Sequence, residues 1–345
     1  MPMGIMNNIM LTKKIKQKAH QLGYLACGII PSTEFHEYTK YLDERVKSFP
    51  ESMEFYKPLY DMVSQPEEAK SIVICTRRYN QYKIPNSLDG LIGKYYLFDN
   101  RIHYSRDYRT KIEMEEFLKI LGIKILQCNI PARLAAAKAG LGKMGRNNFL
   151  YDPEHGSYIS VAAWVVDKEL DYDPITENIY LPECNDSCHK CIKACPTKAL
   201  SGCLSMDYGK CVTQLNSLTK NAIDEEMKSQ MGLWLYGCDA CQDACPLNKN
   251  KFTETEDFPL LDELEEYLRP EKLLEMDEDT FINAINPRFW YIDKDSLWIW
   301  KCNALRYMIN SAEDKYHEMI KKYCNHEDMR IRETAQWGCN TLTKF

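Results

Sequence analysis

Nine of the fifteen cysteines lie in one stretch of the chain, between residues 184 and 245. Two runs within it have iron–sulfur spacing: Cys184-x3-Cys188-x2-Cys191-x3-Cys195-Pro196 and Cys238-x2-Cys241-x3-Cys245-Pro246, with Cys211 between them. A 4Fe–4S cluster binds four thiolates, so two clusters need eight. The stretch contains eight suitable cysteines and one more, Cys203. It predicts a ferredoxin-like module with two 4Fe–4S clusters, and therefore a protein that transfers electrons.

The position of each cysteine predicts which cluster it binds. In two-cluster ferredoxins, the cysteine before the proline ligates the other cluster. Applied to this chain, the rule predicts a first ligand set of Cys184, Cys188, Cys191 and Cys245. It predicts a second set of Cys195, Cys211, Cys238 and Cys241. The Cys184–Cys188 spacing is one residue longer than usual, which leaves open that Cys203 replaces Cys184 or Cys211.

Composition argues against other uses of so many cysteines. Disulfide scaffolds are typical of small secreted domains, whereas this chain has 345 residues and no apolar N-terminal segment followed by a cleavage site. We therefore expect a cytoplasmic protein. Its longest uncharged apolar run, residues 159–166, is far shorter than the roughly 20 residues of a membrane span. Structural zinc also uses Cys-x2-Cys pairs, but the Cys-Pro endings favour iron–sulfur clusters.

Helix-like and strand-like patterns alternate over about the first 175 residues. They predict helices at 10–24, 107–121 and 131–139, and strands at 25–30, 71–75, 124–128 and 159–166. This alternation indicates an α/β (α+β) domain over 1–175. The cysteine module follows over 176–254, after a polar linker at 168–183. An all-α segment completes the chain over 255–345, with helical periodicity at 299–309, 316–323 and 330–342.

Several segments resemble the epoxyqueuosine reductases, which are cobalamin- and iron–sulfur-dependent enzymes of tRNA modification. LYGCDACQDACPLNKNKF (235–252) resembles their second cluster motif, CIKACPTKAL (191–200) the first, and KCVTQLNS (210–217) the single-cysteine segment between them. AKAGLGKMGRNNFL (137–150) resembles their Gly-rich segment, and YSRDYR (104–109) their Asp-Tyr-His helix start. Residues 300–309 and 330–339 resemble their C-terminal HEAT-like helices. The likeness runs almost from end to end.

The resemblance implies a corrinoid bound base-off in the N-terminal domain, beside the first cluster. Its contacts would come from the Gly-rich segment, the Gly-Ser-aromatic strand after it and the arginines near 104–109, namely Gly140, Gly142, Lys143, Gly145, Asn147, Ser157 and Arg106. GLGKMG also fits a dinucleotide-binding pattern, but no strand runs directly into it. The resemblance further implies electron flow from the clusters to cobalt, a donor such as ferredoxin or flavodoxin, and tRNA as a partner.

The chain departs from the family at the catalytic acid. In the family, an aspartate shortly before the Gly-rich segment donates a proton to the substrate. The corresponding residue here is Leu126, or Gln127 if one gap is allowed, and no acidic residue lies between 124 and 133. Reductive deoxygenation of an epoxide needs an acid for the oxygen. Candidates whose side chains can donate a proton are Tyr104, Tyr108, Tyr158 and His155.

Two further hypotheses stay open. A non-catalytic electron-transfer protein could reduce a corrinoid held by a partner, which the missing aspartate favours. A diverged cobalamin-dependent reductase could act on a small molecule, with the tail serving only for packing. The tail cations are either a solvated face or phosphate contacts for a tRNA stem-loop; they are Lys301, Arg306, Lys321, Lys322, Arg330 and Arg332.

Overall fold

The computed structural model describes residues 3–33, 35–184, 187–202, 205–220 and 222–342. Cys203, the alternative ligand, lies outside the described residues. The N-terminal strands are β1 (Ala26–Pro31), β2 (Ser71–Arg78), β3 (Ile125–Leu126), β4 (Lys143–Met144), β5 (Leu150–Tyr151) and β6 (Ile159–Val166). The helices among them are α1 (Met3–Gln21), α2 (His36–Ser48), α3 (Met53–Tyr60), α4 (Lys94–Leu97), α5 (Arg106–Ile120) and α6 (Ala132–Lys138).

A four-stranded sheet with the order β1-β2-β6-β3 forms the centre of this part. All its strand pairs are antiparallel, so the α+β description is the appropriate one. Seven of the eight residues of β2 are buried, because helices cover both faces of this inner strand. Alternate side chains point to opposite faces. Ile72 and Ile74 therefore pack toward the alanines of α6, while Val73 and Cys75 pack toward α1 and α5.

The predicted N-terminal elements are confirmed, with shifts at their ends of up to seven residues, the largest at the start of α1. The strand at 159–166 coincides with β6, and the helix at 107–121 corresponds to α5. The periodicity analysis missed α2, α3 and the short hairpin of β4 and β5. Each of these elements is short or lies on a polar surface, so its apolar pattern is weak.

The central part consists of loops with short helices and strands, as expected for the predicted cluster module. They are α7 (Lys190–Ala194), β7 (Leu200–Gly202), β8 (Ser205–Met206), α8 (Val212–Ser217), α9 (Glu225–Gln230) and α10 (Ala240–Asp243). The tail contains α11 (Leu261–Tyr267), α12 (Pro270–Glu275), α13 (Glu278–Thr280), a π-helical turn at Phe281–Ile285, α14 (Leu297–Ser311), α15 (His317–Tyr323) and α16 (Met329–Leu342). The helical segments predicted for the tail fall within α14, α15 and α16.

One apolar core joins the three parts of the chain. It contains Tyr79 at the end of β2, Tyr158 before β6, Leu235 in the cysteine module, and Phe258 and Trp300 in the tail. The boundaries near 175 and 254 stay a prediction, and the packing across them is continuous. No helix in the described part of the chain is long and apolar enough to cross a membrane.

Candidate functional site

Four thiols line one small cavity at the edge of the cysteine module. They belong to Cys184, Cys188, Cys191 and Cys245. Burial raises the pKa of Cys184 and of Cys191, and the neighbouring thiols raise each pKa further. Thiolates so close together repel one another unless a metal centre neutralises them. The grouping is that of the first predicted ligand set.

Four other thiols form a second group. Burial raises the pKa of Cys238, Cys241 and Cys211, and Cys195 interacts electrostatically with all three. The Cys195 sulfur also accepts a hydrogen bond of 3.2 Å from the Ala199 amide. Among the described residues, no three His, Cys, Asp or Glu side chains converge closely enough for a single metal ion. Four thiols that are too far apart for one ion suit a 4Fe–4S cluster, in which each of the four irons binds one thiolate.

Hydrogen bonds from the N-terminal part fix the loops that carry these thiols. Asn147 Nδ2 donates to the carbonyl of Cys241 at 3.1 Å. Ser157 Oγ accepts from Asn248 Nδ2 at 2.8 Å and from Gln242 Nε2 at 2.9 Å. The predicted corrinoid contacts Asn147 and Ser157 thus lie at the junction with the cysteine module, where Asn147 binds its backbone and Ser157 binds two of its side chains.

A cleft of about 180 Å³ lies between the sheet and the second thiol group, and it opens to solvent. Cys238 contributes to its wall, so the cleft adjoins the second group, whereas the resemblance implied a cofactor beside the first cluster. Its remaining lining comes from the sheet, the start of α6 and the cysteine loops: Tyr79, Tyr95, Tyr96, Ala132, Arg133, Phe149, Leu150, Ile159, Ser160, Val161, Thr213, Asp239 and Gln242.

Asp239 is a buried carboxyl in the cleft wall that the sequence analysis did not single out. Its Oδ2 accepts a hydrogen bond of 2.6 Å from the Lys94 amide, and the Lys94 ammonium lies 3.6 Å from the same oxygen. Burial raises the pKa of Asp239 to about 6, against the opposing effect of Lys94. The only sequence signal was its place between Cys238 and Cys241.

None of the three tyrosines predicted as acids is among the residues that line the cleft. Tyr158 packs edge-on against Tyr79, at 5.9 Å between ring centroids, and its hydroxyl lies 3.4 Å from Asp243 Oδ1. The Tyr104 hydroxyl accepts hydrogen bonds from Arg288 in the tail interface. Tyr108 lies in the first turn of α5. His155 contacts Asp152 at 2.7 Å.

The Gly-rich segment contributes Phe149 and Leu150 to the cleft lining, whereas its predicted corrinoid contacts Gly140, Gly142, Lys143 and Gly145 are not among the lining residues. Gly140 has a positive φ of 74°, Gly142 lies against the Tyr151 carbonyl, and Lys143 pairs with Tyr151 between β4 and β5. A Cβ at Gly145 would lie 2.5 Å from the Tyr151 ring. Arg106 is exposed at the start of α5, away from the cleft lining.

Arg133 contributes a cation to the cleft that the sequence analysis did not single out. Its guanidinium lies 4.6 Å from the centroid of the Phe149 ring and donates to the Asn148 carbonyl at 3.1 Å. Asn148 has a positive φ of 66°. Both polar atoms of its side-chain amide are buried without a hydrogen-bond partner.

The tail cations are largely engaged within the protein. Arg330 pairs with Asp328 and stacks on Trp298, with the guanidinium carbon 4.0 Å from the ring centroid. Arg332 donates to the His326 carbonyl at 2.6 Å. Arg306 is buried. Lys321 pairs with Glu318 at 2.7 Å. These contacts favour a structural role for most of the set over a phosphate-binding face.

Comparisons with known proteins agree with this arrangement. The family model of the 4Fe-4S double cluster binding domain matches residues 183–248. An epoxyqueuosine reductase of Cyclobacterium marinum is 32% identical over 256 residues, which cover 69% of this chain and 79% of the relative. The chain belongs to the epoxyqueuosine reductase family. A family member from Prochlorococcus marinus is 28% identical over 322 residues, covering 84% of this chain and 98% of that protein.

Solved epoxyqueuosine reductase structures share the fold. The Bacillus subtilis structure, in which a catalytic aspartate loop is swung out of the active site, has a TM-score of 0.78 at 23% identity and covers 96% of this chain and 90% of its own. Another structure, with an epoxyqueuosine-modified tRNA-Tyr stem loop, has a TM-score of 0.74 at 22% identity. Family membership and the double-cluster match confirm the prediction of an iron–sulfur reductase with two 4Fe–4S clusters.

Proposed function

We propose that this member of the epoxyqueuosine reductase family reduces epoxyqueuosine in tRNA, using two 4Fe–4S clusters and a corrinoid. The observation that carries the proposal is the cleft wall, in which Cys238 of the second thiol group faces the same space as Arg133, Tyr79 and Asp239. A cluster at this wall would lie next to whatever the cleft holds, which electron transfer to a substrate or cofactor requires.

The two thiol groups would hold the clusters in the crossed arrangement. Loaded clusters would supply electrons one at a time. The first set would be Cys184, Cys188, Cys191 and Cys245, and the second Cys195, Cys211, Cys238 and Cys241. The buried thiols are costly to ionise, as their raised pKa values indicate, and iron binding would offset that cost.

The cleft residues fit a corrinoid in chemistry. Tyr79, Tyr95 and Phe149 offer apolar surfaces to a macrocycle. Asn148 lies next to the lining residue Phe149, and its buried amide, which is costly without a partner, would suit the peripheral amides of a corrin. The cleft volume of about 180 Å³ is below the range of roughly 300–1,000 Å³ for small-molecule sites, so the cleft would have to widen to hold a corrinoid. A bound corrinoid would supply low-valent cobalt as the electron-pair donor.

The reaction needs two electrons and two protons for each epoxide. Both carbon–oxygen bonds break, a carbon–carbon double bond forms, and the oxygen leaves as water. The predicted acids are Tyr104, Tyr108 and Tyr158. Of these, Tyr158 lies nearest the cleft, through its contact with Tyr79. Burial raises the pKa of Tyr79 and Tyr158, which keeps both phenols neutral. Tyr79, which lines the cleft, would donate a hydrogen bond to the departing oxygen, and Tyr158 packs behind it.

The partners would be a tRNA stem loop and a low-potential electron donor such as ferredoxin or flavodoxin. Arg133 in the cleft wall, which forms no ion pair within the described residues, would meet a tRNA phosphate. The tail helices would form a HEAT-like unit packed on the cysteine module, although most of their cations already bind groups of the protein itself.

An anaerobic assay tests the proposal. Reconstituted protein should contain about eight irons per chain, bind cobalamin with a spectral change, and convert an epoxyqueuosine-modified stem loop in the presence of dithionite. Tyr158→Phe should lower turnover without changing iron content, and Tyr267→Phe, at a 39% exposed tyrosine of the tail, serves as the matched control. Cluster-loaded protein that binds cobalamin but never converts the stem loop would contradict the proposed substrate.

A non-catalytic electron-transfer protein is the second candidate. The absence of an acidic residue between 124 and 133 favours it. This candidate predicts no cobalamin retention, together with reduction of a corrinoid held by another protein. Cobalamin binding by the isolated chain would exclude it.

A further inference from the structure

A buried arginine of the tail lies against the loop that carries Cys238. Arg306 in α14 is 2% exposed. Its Nη1 donates to the Gly232 carbonyl at 2.8 Å, and its Nη2 donates to the Trp234 carbonyl. The guanidinium thus holds the segment that leads directly into the second cysteine motif.

Other residues on the same face of α14 strengthen this attachment. Asn303 Nδ2 donates to the Asn216 carbonyl at 2.7 Å, and Asn216 in turn exchanges two hydrogen bonds of 2.9 Å with the backbone of Gly237. Asn310 Nδ2 donates to the Gly232 carbonyl at 3.0 Å. Residues 303, 306 and 310 are three and four apart, so they lie on one side of the helix.

The charge of Arg306 has no carboxylate partner among the described residues. Its hydrogen bonds go to neutral carbonyls, and its Nε is buried with no partner. Burial lowers the pKa of Arg306 to about 10, and the groups that oppose this are the thiols of Cys238 and Cys302. A buried cation is costly unless a negative group compensates it.

We infer that the cluster bound by the second thiol group is the counter-ion of Arg306, and that this arginine raises the reduction potential of that cluster. The inference rests on the proposed second ligand set. Four thiolates give an oxidised 4Fe–4S centre a net negative charge, and one-electron reduction by a low-potential donor adds another without a proton. A fixed cation stabilises the more negative, reduced state more strongly. Arg306 therefore acts as a positioning and tuning residue.

The test is the potential of each cluster in reconstituted full-length protein, measured by dithionite titration followed by electron paramagnetic resonance. The signals are assigned with Cys188→Ser, which perturbs only the first group. In Arg306→Gln, the reduced-to-oxidised ratio of the second cluster at a fixed potential should fall at least tenfold, a shift of about 59 mV for one electron. The first cluster should not change.

Two further variants separate charge from packing. Arg306→Lys keeps the charge, so its second-cluster ratio should stay within threefold of the parent. Arg288→Gln removes an equally buried arginine, 2% exposed and hydrogen-bonded to Leu97 and Pro259 carbonyls, and it should shift neither cluster.

An unchanged second-cluster potential in Arg306→Gln would overturn the inference, as would equal shifts in the Gln and Lys variants. If Arg306→Gln does not load clusters, the Arg306→Lys variant decides. A tenfold change in its reduced-to-oxidised ratio for the second cluster, relative to the parent, overturns the inference, and a ratio within threefold of the parent supports it. A parent protein that holds no second cluster would instead contradict the proposed function.

Discussion

At the scale of single residues, one buried ion pair joins the central sheet to α5. Arg77 on β2 and Asp107 at the start of α5 are 6% and 2% exposed, with 3.0 Å between Nη1 and Oδ1. Arg77 also lies 4.6 Å from the Tyr24 ring centroid. Asp107, which belongs to the segment that resembles the family's Asp-Tyr-His helix start, therefore forms a buried ion pair that stabilises the fold.

Asp107→Ala should destabilise the protein by about 3–5 kcal/mol, because it leaves the Arg77 guanidinium buried and unpaired. Urea denaturation of the purified chain measures this. Arg106→Ala is the matched control, since its exposed side chain should change the free energy of unfolding by less than about 0.5 kcal/mol. Equal stabilities of the two variants would show that the pair contributes little.

The Gly-rich segment gives a second prediction at this scale. Gly145→Ala should cost about 1–3 kcal/mol, because the added methyl would lie 2.5 Å from the Tyr151 ring and 2.9 Å from Asn147 Oδ1. Displacing Asn147 should also weaken its bond to the Cys241 loop. Thermal denaturation measures both effects, and Gly202→Ala, whose Cβ would meet only Ser205 at 3.7 Å, should be near neutral in it.

The role of an individual residue was predictable only where the function imposes a fixed spacing on the sequence. The cysteine spacing predicted two sets of thiols, and these sets stay a prediction as cluster ligands; the structure places Cys184, Cys188, Cys191 and Cys245 around one cavity. The positions of Asp239 and Arg133 in the cleft could not be predicted. Asp239 lies between two cysteines and Arg133 lies on a short helix, and neither position forms part of a periodic pattern. The tyrosines chosen as acids came from family-like segments, and the fold instead brings Tyr79, Tyr95 and Tyr96 to the cleft.

At the scale of elements, the apolar periodicity predicted the helices and strands that pack on the core, including α14 and α16. It could not predict residues 79–105, which have little regular structure and fill the space between sheet and tail with aromatic side chains. Their contacts join parts of the chain far apart in sequence, and periodicity reports only local order.

The close approach of α14, α15 and α16 depends on Gly338. A Cβ there would lie 2.6 Å from Ile309 and 3.0 Å from Ile320. Gly338→Leu should therefore lower stability by about 1–3 kcal/mol or more through overpacking. Glu333→Leu, on an exposed position of the same helix, provides the comparison in guanidinium denaturation. A Gly338→Leu variant as stable as the parent would mean that the helices separate without cost.

At the scale of the whole molecule, the continuous core predicts that clusters and fold are coupled. Ligand binding stabilises the native state, and here the thiols are anchored to the same core as the tail. Removal of iron by a chelator should therefore lower the melting temperature of the entire chain, as one transition in calorimetry. Loss of only a minor transition, with the main one unmoved, would indicate an independent cysteine module.

The central claim is the crossed arrangement of thiolates beside the cleft, and single-cysteine variants test it most directly. Cys245→Ser should abolish the electron paramagnetic resonance signal of the cluster held by Cys184, Cys188 and Cys191 and preserve the other. Cys195→Ser should do the reverse, removing the cluster held by Cys211, Cys238 and Cys241. Each serine variant losing the cluster of its own sequence run would contradict the account.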